Sequence, residues 1–143
     1  FGESLMPEVR KPLHVLVAED NLVNQKLAVK LLEKKGHRAR VVSNGSEAVL
    51  AFEEEKFDAI LMDVMMPEMD GLEATRRIRG MPGGENIPII AITANALVGD
   101  REKCIDAGMD EYLIKPIDVD HFYQILERIA VGWAVAEPAT AEL

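Results

Sequence analysis

The segment Ala59-Ile60-Leu61-Met62-Asp63-Val64-Met65-Met66-Pro67-Glu68-Met69-Asp70-Gly71 is an apolar run, one carboxylate, and a stretch punctuated by Pro67 and Asp70-Gly71. A short apolar run bounded by turn formers reads as a buried strand of a parallel sheet. Three more runs share the pattern. Val15-Leu16-Val17-Ala18 leads into Glu19-Asp20, Ile89-Ile90-Ala91-Ile92 ends at Thr93, and Tyr112-Leu113-Ile114 ends at Lys115. Ligands of open α/β sheets bind beyond the carboxyl ends of the strands. Three carboxylates, a hydroxyl and an ammonium are therefore expected at one edge, an arrangement suited to a divalent cation and an acyl phosphate.

Strand and helix signals alternate five times. Strands are expected near 13–18, 38–42, 58–62, 87–92 and 111–114, and helices near 21–35, 46–55, 72–79, 99–107 and 118–130. Asn21, Ser46 and Asp118 read as N-caps, and Gly36 and Gly108 sit where C-terminal caps belong. This alternation predicts an α/β fold, a doubly wound parallel sheet with helices on both faces. Arg38 and Arg40 alternate with Ala39 and Val41, which puts the second strand at an edge. Residues 1–12, with Pro7 and Pro12, read as an N-terminal arm. Residues 13–130 form the domain, and 131–143, rich in Ala and Glu, read as a C-terminal tail in which Trp133 folds back or hangs free.

The 143 residues suit one domain with one core. An apolar fraction of 48% with 29% charged residues is that of a globular chain. The net charge of −9 and the lack of a basic stripe argue against nucleic acid and fit metal ions and a positively charged partner. No apolar stretch approaches the roughly 20 residues that span a bilayer, so no membrane contact is expected of this domain. A single cysteine, Cys104, excludes an internal disulfide and fits a reducing, cytoplasmic setting. A start at Phe1 suggests a piece of a longer protein.

Each candidate residue also has an ordinary reading. Glu19-Asp20 would serve as a loop start and cap, Asp63 as a turn former, Thr93 as a β-branched strand residue, and Lys115 as a solvated charge. Their company decides between the readings. Three carboxylates at one edge repel, and their pKa values rise unless a cation binds. Hard oxygen ligands around a partly hydrated dication point to Mg²⁺. Lys115 is placed to pair with Asp63 or with phosphate oxygens, Pro116 makes a sharp turn for which a cis bond is the usual reason, and Ala94 leaves space beside Thr93.

The pieces Ala18-Glu19-Asp20-Asn21, Met62 to Gly71, Ile92-Thr93-Ala94-Asn95-Ala96 and Tyr112-Leu113-Ile114-Lys115-Pro116 stand in one order. Over about 13–130 they resemble the receiver domain of two-component response regulators. The resemblance implies a flavodoxin-like (βα)5 sheet of order 2-1-3-4-5. It makes Asp63 the phosphoacceptor, taking a phosphoryl group from a phosphohistidine. Asp20, Asp63 and the Met65 backbone carbonyl would ligate Mg²⁺, with Glu19 reaching it through water. Lys115 would neutralise phosphoryl oxygens, Thr93 would bond one of them, and Tyr112 occupies the aromatic switch position, its ordinary reading being a tyrosine packed on the sheet. The implied partners are a histidine kinase or a histidine phosphotransfer domain, and a homodimer is compatible. Glu19-Asp20-Asn21 with Val23-Asn24-Gln25, and Thr93 to Ala96, look most like receivers fused to hybrid sensor kinases.

Leu22, Val23, Leu27, Val29, Leu31 and Leu32 make the first helix apolar on more than one side, leaving an excess that suits a helical partner. His14, His37 and His121 lie at no metal-ligand spacing and read as ordinary histidines, and Cys104 reads as core. A haloacid-dehalogenase-like aspartyl-phosphate phosphatase would carry a second Asp two residues after the nucleophile, where this chain has Met65. A flavin binder would need a Ser/Thr/Gly-rich loop after the first strand. A docking pseudo-receiver would have lost site residues that this chain keeps. Met65 and Asn95 flank the site, Met65 blocking a hydrolytic water and Asn95 orienting one, with more weight on Met65.

Overall fold

The computed structural model describes residues 12–94 and 99–132. Five strands, β1 (His14–Ala18), β2 (Arg38–Val42), β3 (Ala59–Asp63), β4 (Ile89–Thr93) and β5 (Glu111–Ile114), alternate with five helices. The helices are α1 (Leu22–Lys34), α2 (Gly45–Glu54), α3 (Gly71–Arg79), α4 (Asp100–Ala107) and α5 (Val119–Ala130). All four pairings are parallel, in the order β2-β1-β3-β4-β5. The Arg-bearing strand lies at an edge, as its alternation predicts. The expected arms, 1–12 and 131–143 with Trp133, lie outside the described residues except for Pro12, Val131 and Gly132.

Successive strand residues face opposite sides, so each buried strand feeds two cores. Val15, Val17, Leu61, Ile90 and Ile92 pack with Ala28 and Leu32 of α1 and Phe122, Ile125 and Ile129 of α5. Leu16, Ala18, Ile60, Met62, Ile89 and Ala91 pack with Ala48 and Ala51 of α2, Ala74 and Ile78 of α3, and Cys104 of α4. Strands covered on both sides must be apolar throughout, and for that reason the runs were readable without a period. The chain passes from β1 outward to β2, then returns past β1 to β3. That reversal opens a crevice at the carboxyl ends of β1 and β3.

Local chemistry sets the helix starts. Asn21 Oδ1 accepts the Asn24 N–H at 3.0 Å, and Asp118 Oδ1 accepts that of His121 at 3.2 Å. The second helix corrects the expectation at Ser46, because its cap is Asn44, whose Oδ1 accepts the Glu47 N–H at 2.8 Å. Glu47 in turn accepts the Ser43 N–H at 2.7 Å, so the reciprocal bonds select Asn44 over the serine two residues on. Gly108 ends α4 with φ +110°, and Gly36, at φ +86°, follows α1. At the opposite, amino edge of the sheet, Arg79 is half-buried. It donates to the carbonyls of Gly84, Ile87 and Gly108 at 2.6–2.9 Å and to Asp110 at 2.9 Å, joining α3, the loop before β4 and the end of α4.

The loop after β3 folds back so closely that Gly71 lies against the Asp63 carbonyl, and a Cβ there would overlap it. Gly71→Ala is expected to lower stability by about 1–3 kcal/mol, the range for overpacking. Gly80→Ala, whose Cβ would meet only Arg77 O at 3.6 Å, should change it by less than about 0.5 kcal/mol. Urea midpoints of the two variants check this, and equal midpoints would contradict it.

Candidate functional site

The carboxyl edge of the sheet brings together most of the singled-out residues. Glu19 and Asp20 follow β1 directly, Asp63 closes β3, Thr93 closes β4, and Lys115 follows β5. Carboxylate oxygens of Glu19, Asp20 and Asp63 lie within 4.8 Å of one another, with Glu19 and Asp63 buried and Asp20 exposed. Lys115 Nζ reaches both buried carboxylates, Glu19 Oε1 at 3.0 Å and Asp63 Oδ2 at 2.9 Å. The other Asp63 oxygen accepts the Met65 N–H at 3.2 Å, and the other Glu19 oxygen accepts the Asn21 N–H at 3.0 Å.

Backbone bonds fix this placement. Val64 N–H donates to Ile92 O at 2.9 Å and Lys115 N–H to Thr93 O at 2.8 Å, so the three strand ends share a register. The Lys115–Pro116 peptide is cis, as the turn at Pro116 suggested. Asn95 lies outside the described residues.

Burial pushes the Asp63 carboxyl up from its ordinary 3.8 to about 6. The Lys115 hydrogen bond works against that rise and the Glu19 charge adds to it. For Lys115, burial disfavours the ammonium, but hydrogen bonds to Asp63 and Glu19 prevail and raise its pKa. Two buried acids and a third exposed one thus share a single cation. A hard, oxygen-seeking dication fits this donor set, of which Asp20 is the solvent-facing member.

Tyr112 is half-buried on β5, its hydroxyl donating to Asp100 Oδ2 at 2.7 Å at the first turn of α4. Burial and then this bond push its pKa up to about 12. The Arg101 guanidinium lies 5.7 Å from the ring centroid. Cys104 is core, as expected, and burial pushes its thiol up to about 11. His37 Nδ1 accepts the Leu13 N–H at 2.9 Å, a bracing role away from the site.

Two contacts escaped the sequence reading. Asp100 holds Tyr112, and Gln25, one turn into α1, donates to the Glu19 carbonyl at 2.6 Å. Neither bond has a sequence signal, because each joins a side chain to a group whose meeting with it depends on helix placement. The apolar excess of α1 is real. Leu22 and Val23 are 62% and 73% exposed, while Ala28 and Leu32 are buried.

Residues 15–127 match the response regulator receiver domain family. The chain is 44% identical over 122 residues to hybrid signal transduction histidine kinase I of Dictyostelium discoideum, covering 80% of this chain and 7% of that protein. It thus spans a small part of the length of such relatives. Among solved structures it is similar to the receiver domain of a sensor histidine kinase from Pseudomonas aeruginosa, which carries a magnesium ion coordinated in its active-site cleft. That pair has 44% identity and a TM-score of 0.79, covering 85% of this chain and 100% of the other. A receiver domain from Saccharomyces cerevisiae, solved with its histidine phosphotransfer protein, is 27% identical at a TM-score of 0.79, covering 90% and 95%. With the sheet order and the acidic crevice, these likenesses place the chain in the response regulator receiver family, as a receiver domain of two-component phosphorelays.

Proposed function

We propose that Asp63 takes the phosphoryl group, on the strength of one observation: it is a buried carboxylate joined to Lys115 at 2.9 Å within a three-acid cluster. Its oxygen attacks the phosphorus of a partner's phosphohistidine. The new O–P bond forms as the N–P bond breaks, and the imidazole nitrogen leaves with the electron pair. Such transfer asks for positioning and charge neutralisation more than covalent help. Asp20, Asp63 and the Met65 carbonyl would hold Mg²⁺, with Glu19 supporting the site from beside them. When bound, the ion neutralises phosphoryl charge. Lys115 pairs with a phosphoryl oxygen, Thr93 donates its hydroxyl to another, and Tyr112 exchanges its Asp100 bond for an inward position as Thr93 moves.

The parent protein is on this reading a hybrid sensor kinase, with the domain in the cytoplasm and a histidine kinase or histidine phosphotransfer domain as its partner. The exposed Leu22 and Val23, with a cavity of about 50 Å³ lined by Leu27, Ala28, Pro116 and Ile117 beside Lys115, suit a helical donor next to the site. Met65, 65% exposed at the crevice, supplies no acid for hydrolytic turnover, which weighs against a phosphatase.

Asp63→Asn is expected to abolish labelling by acetyl phosphate while circular dichroism stays unchanged. Undiminished labelling would refute the assignment.

The proton on Asp63 competes with the metal. In the metal-free protein this raised pKa favours the folded state most below about pH 3.8, and the contribution fades as pH rises through about 6. Magnesium affinity moves the other way and should fall about tenfold from about pH 7 to about pH 5. Calorimetric titration measures it, and a flat profile would rule out Asp63 as a ligand.

Met65→Asn should speed loss of the phosphoryl group several-fold, on the order of 1 kcal/mol of barrier, by opening and orienting the water's approach. Phosphoryl lifetimes at saturating Mg²⁺ decide this, and an equal or longer lifetime in the variant would count against it.

A further inference from the structure

Glu19 is held at four points. Its N–H donates to Val42 O at 3.0 Å, continuing the β1–β2 ladder by one residue. Its side chain takes the Asn21 N–H on one oxygen and Lys115 on the other. The fourth point is its carbonyl, which belongs to the peptide joining the two adjacent acids. The ladder offers that carbonyl nothing further, since paired residues end at Ala18 and Val42 and the β2 chain has already turned through Ser43 to the helix cap at Asn44. The donor is instead Gln25, whose Nε2 lies 2.6 Å from Glu19 O and 3.4 Å from Ser43 Oγ.

The position of Gln25 is itself fixed. Its own N–H makes the first helical bond of α1, to Asn21 O at 2.9 Å, and Asn21 caps the same helix. A stiff helix start therefore holds one carboxamide against the peptide plane that aims Asp20. That plane is where mutual repulsion acts. Three carboxylates within 4.8 Å repel one another, and Asp20, the exposed one, shows no side-chain hydrogen bond among the described residues to hold it against that repulsion.

We infer that Gln25 is a positioning residue for the magnesium site: by hydrogen-bonding the Glu19–Asp20 peptide, it keeps the Asp20 carboxylate in place for the ion. This rests on the reading of the acidic cluster as a magnesium site. Groups that orient ligands typically change metal affinity by about 10- to 100-fold when removed. Gln25 touches neither the ion nor the phosphoryl group, so its loss should appear in affinity and vanish at saturation.

The test titrates the whole chain with Mg²⁺ alone, following the amide chemical shifts of residues 18–21 and 63–65, for the unsubstituted chain (the parent of the variants) and for Gln25→Met, which keeps length and loses the donor. The expected result is a magnesium dissociation constant about tenfold weaker in the variant, with a melting temperature close to that of the parent. Its rate of labelling by acetyl phosphate should match the parent's at saturating Mg²⁺. Gln25→Asn, whose amide falls one methylene short, should show the same loss and serves if the Met variant does not fold. Unchanged affinity in the folded variants, or a labelling deficit that persists at saturating Mg²⁺, overturns the inference. Absence of Mg²⁺ binding by the parent itself would instead overturn the reading of the site on which it rests.

Discussion

One ammonium serves two buried carboxylates. Lys115 Nζ stands 3.0 Å from Glu19 and 2.9 Å from Asp63, and both acids are almost sealed from water. Asp20, close by on the solvent side, adds a third negative charge. Burial holds the Asp63 carboxyl at about 6, well above its ordinary range, and the local shortage of positive charge, through Glu19, adds to that rise. A site with this deficit suits a cation. Lys115 is what lets the two buried acids coexist.

No single element makes this possible. Glu19 comes from the end of β1, Asp63 from β3 and Lys115 from the end of β5, so the cluster exists only while the sheet keeps its register. The register is set in turn by burial on both faces. A slip of one residue would carry Leu61 and Met62 into the wrong cores and withdraw Asp63 from the edge. The apolar runs that name the strands and the polar residues that end them are two aspects of one constraint.

The fold was legible for that reason. Fully buried strands show as unbroken apolar runs, and the one strand with charges, Arg38–Val42, declared itself an edge. The acids and the lysine were legible because each directly follows such a run. The second helix start was not, since Asn44 and Ser46 are both good caps and only the Glu47 bond to Ser43 separates them. Nor were Gln25 and Asp100 legible as contacts. The Gln25 bond to Glu19 and the Asp100 bond to Tyr112 depend on where α1 and α4 rest against the sheet, and helix placement leaves no short-range mark in sequence.

The two ends of α4 are secured very differently. Its C-terminal end is clamped by Arg79, whose guanidinium takes the Gly108 carbonyl through two nitrogens while also gripping Asp110 and the loop before β4. At its N-terminal end, the described tie across to the sheet is the Asp100–Tyr112 hydrogen bond, with Arg101 over the ring. Mechanically this is a beam with one built-in end and one pinned end. With one bond at one end and several at the other, the hold on α4 is uneven, and rotation about the Arg79 clamp is the direction in which its ties oppose displacement least.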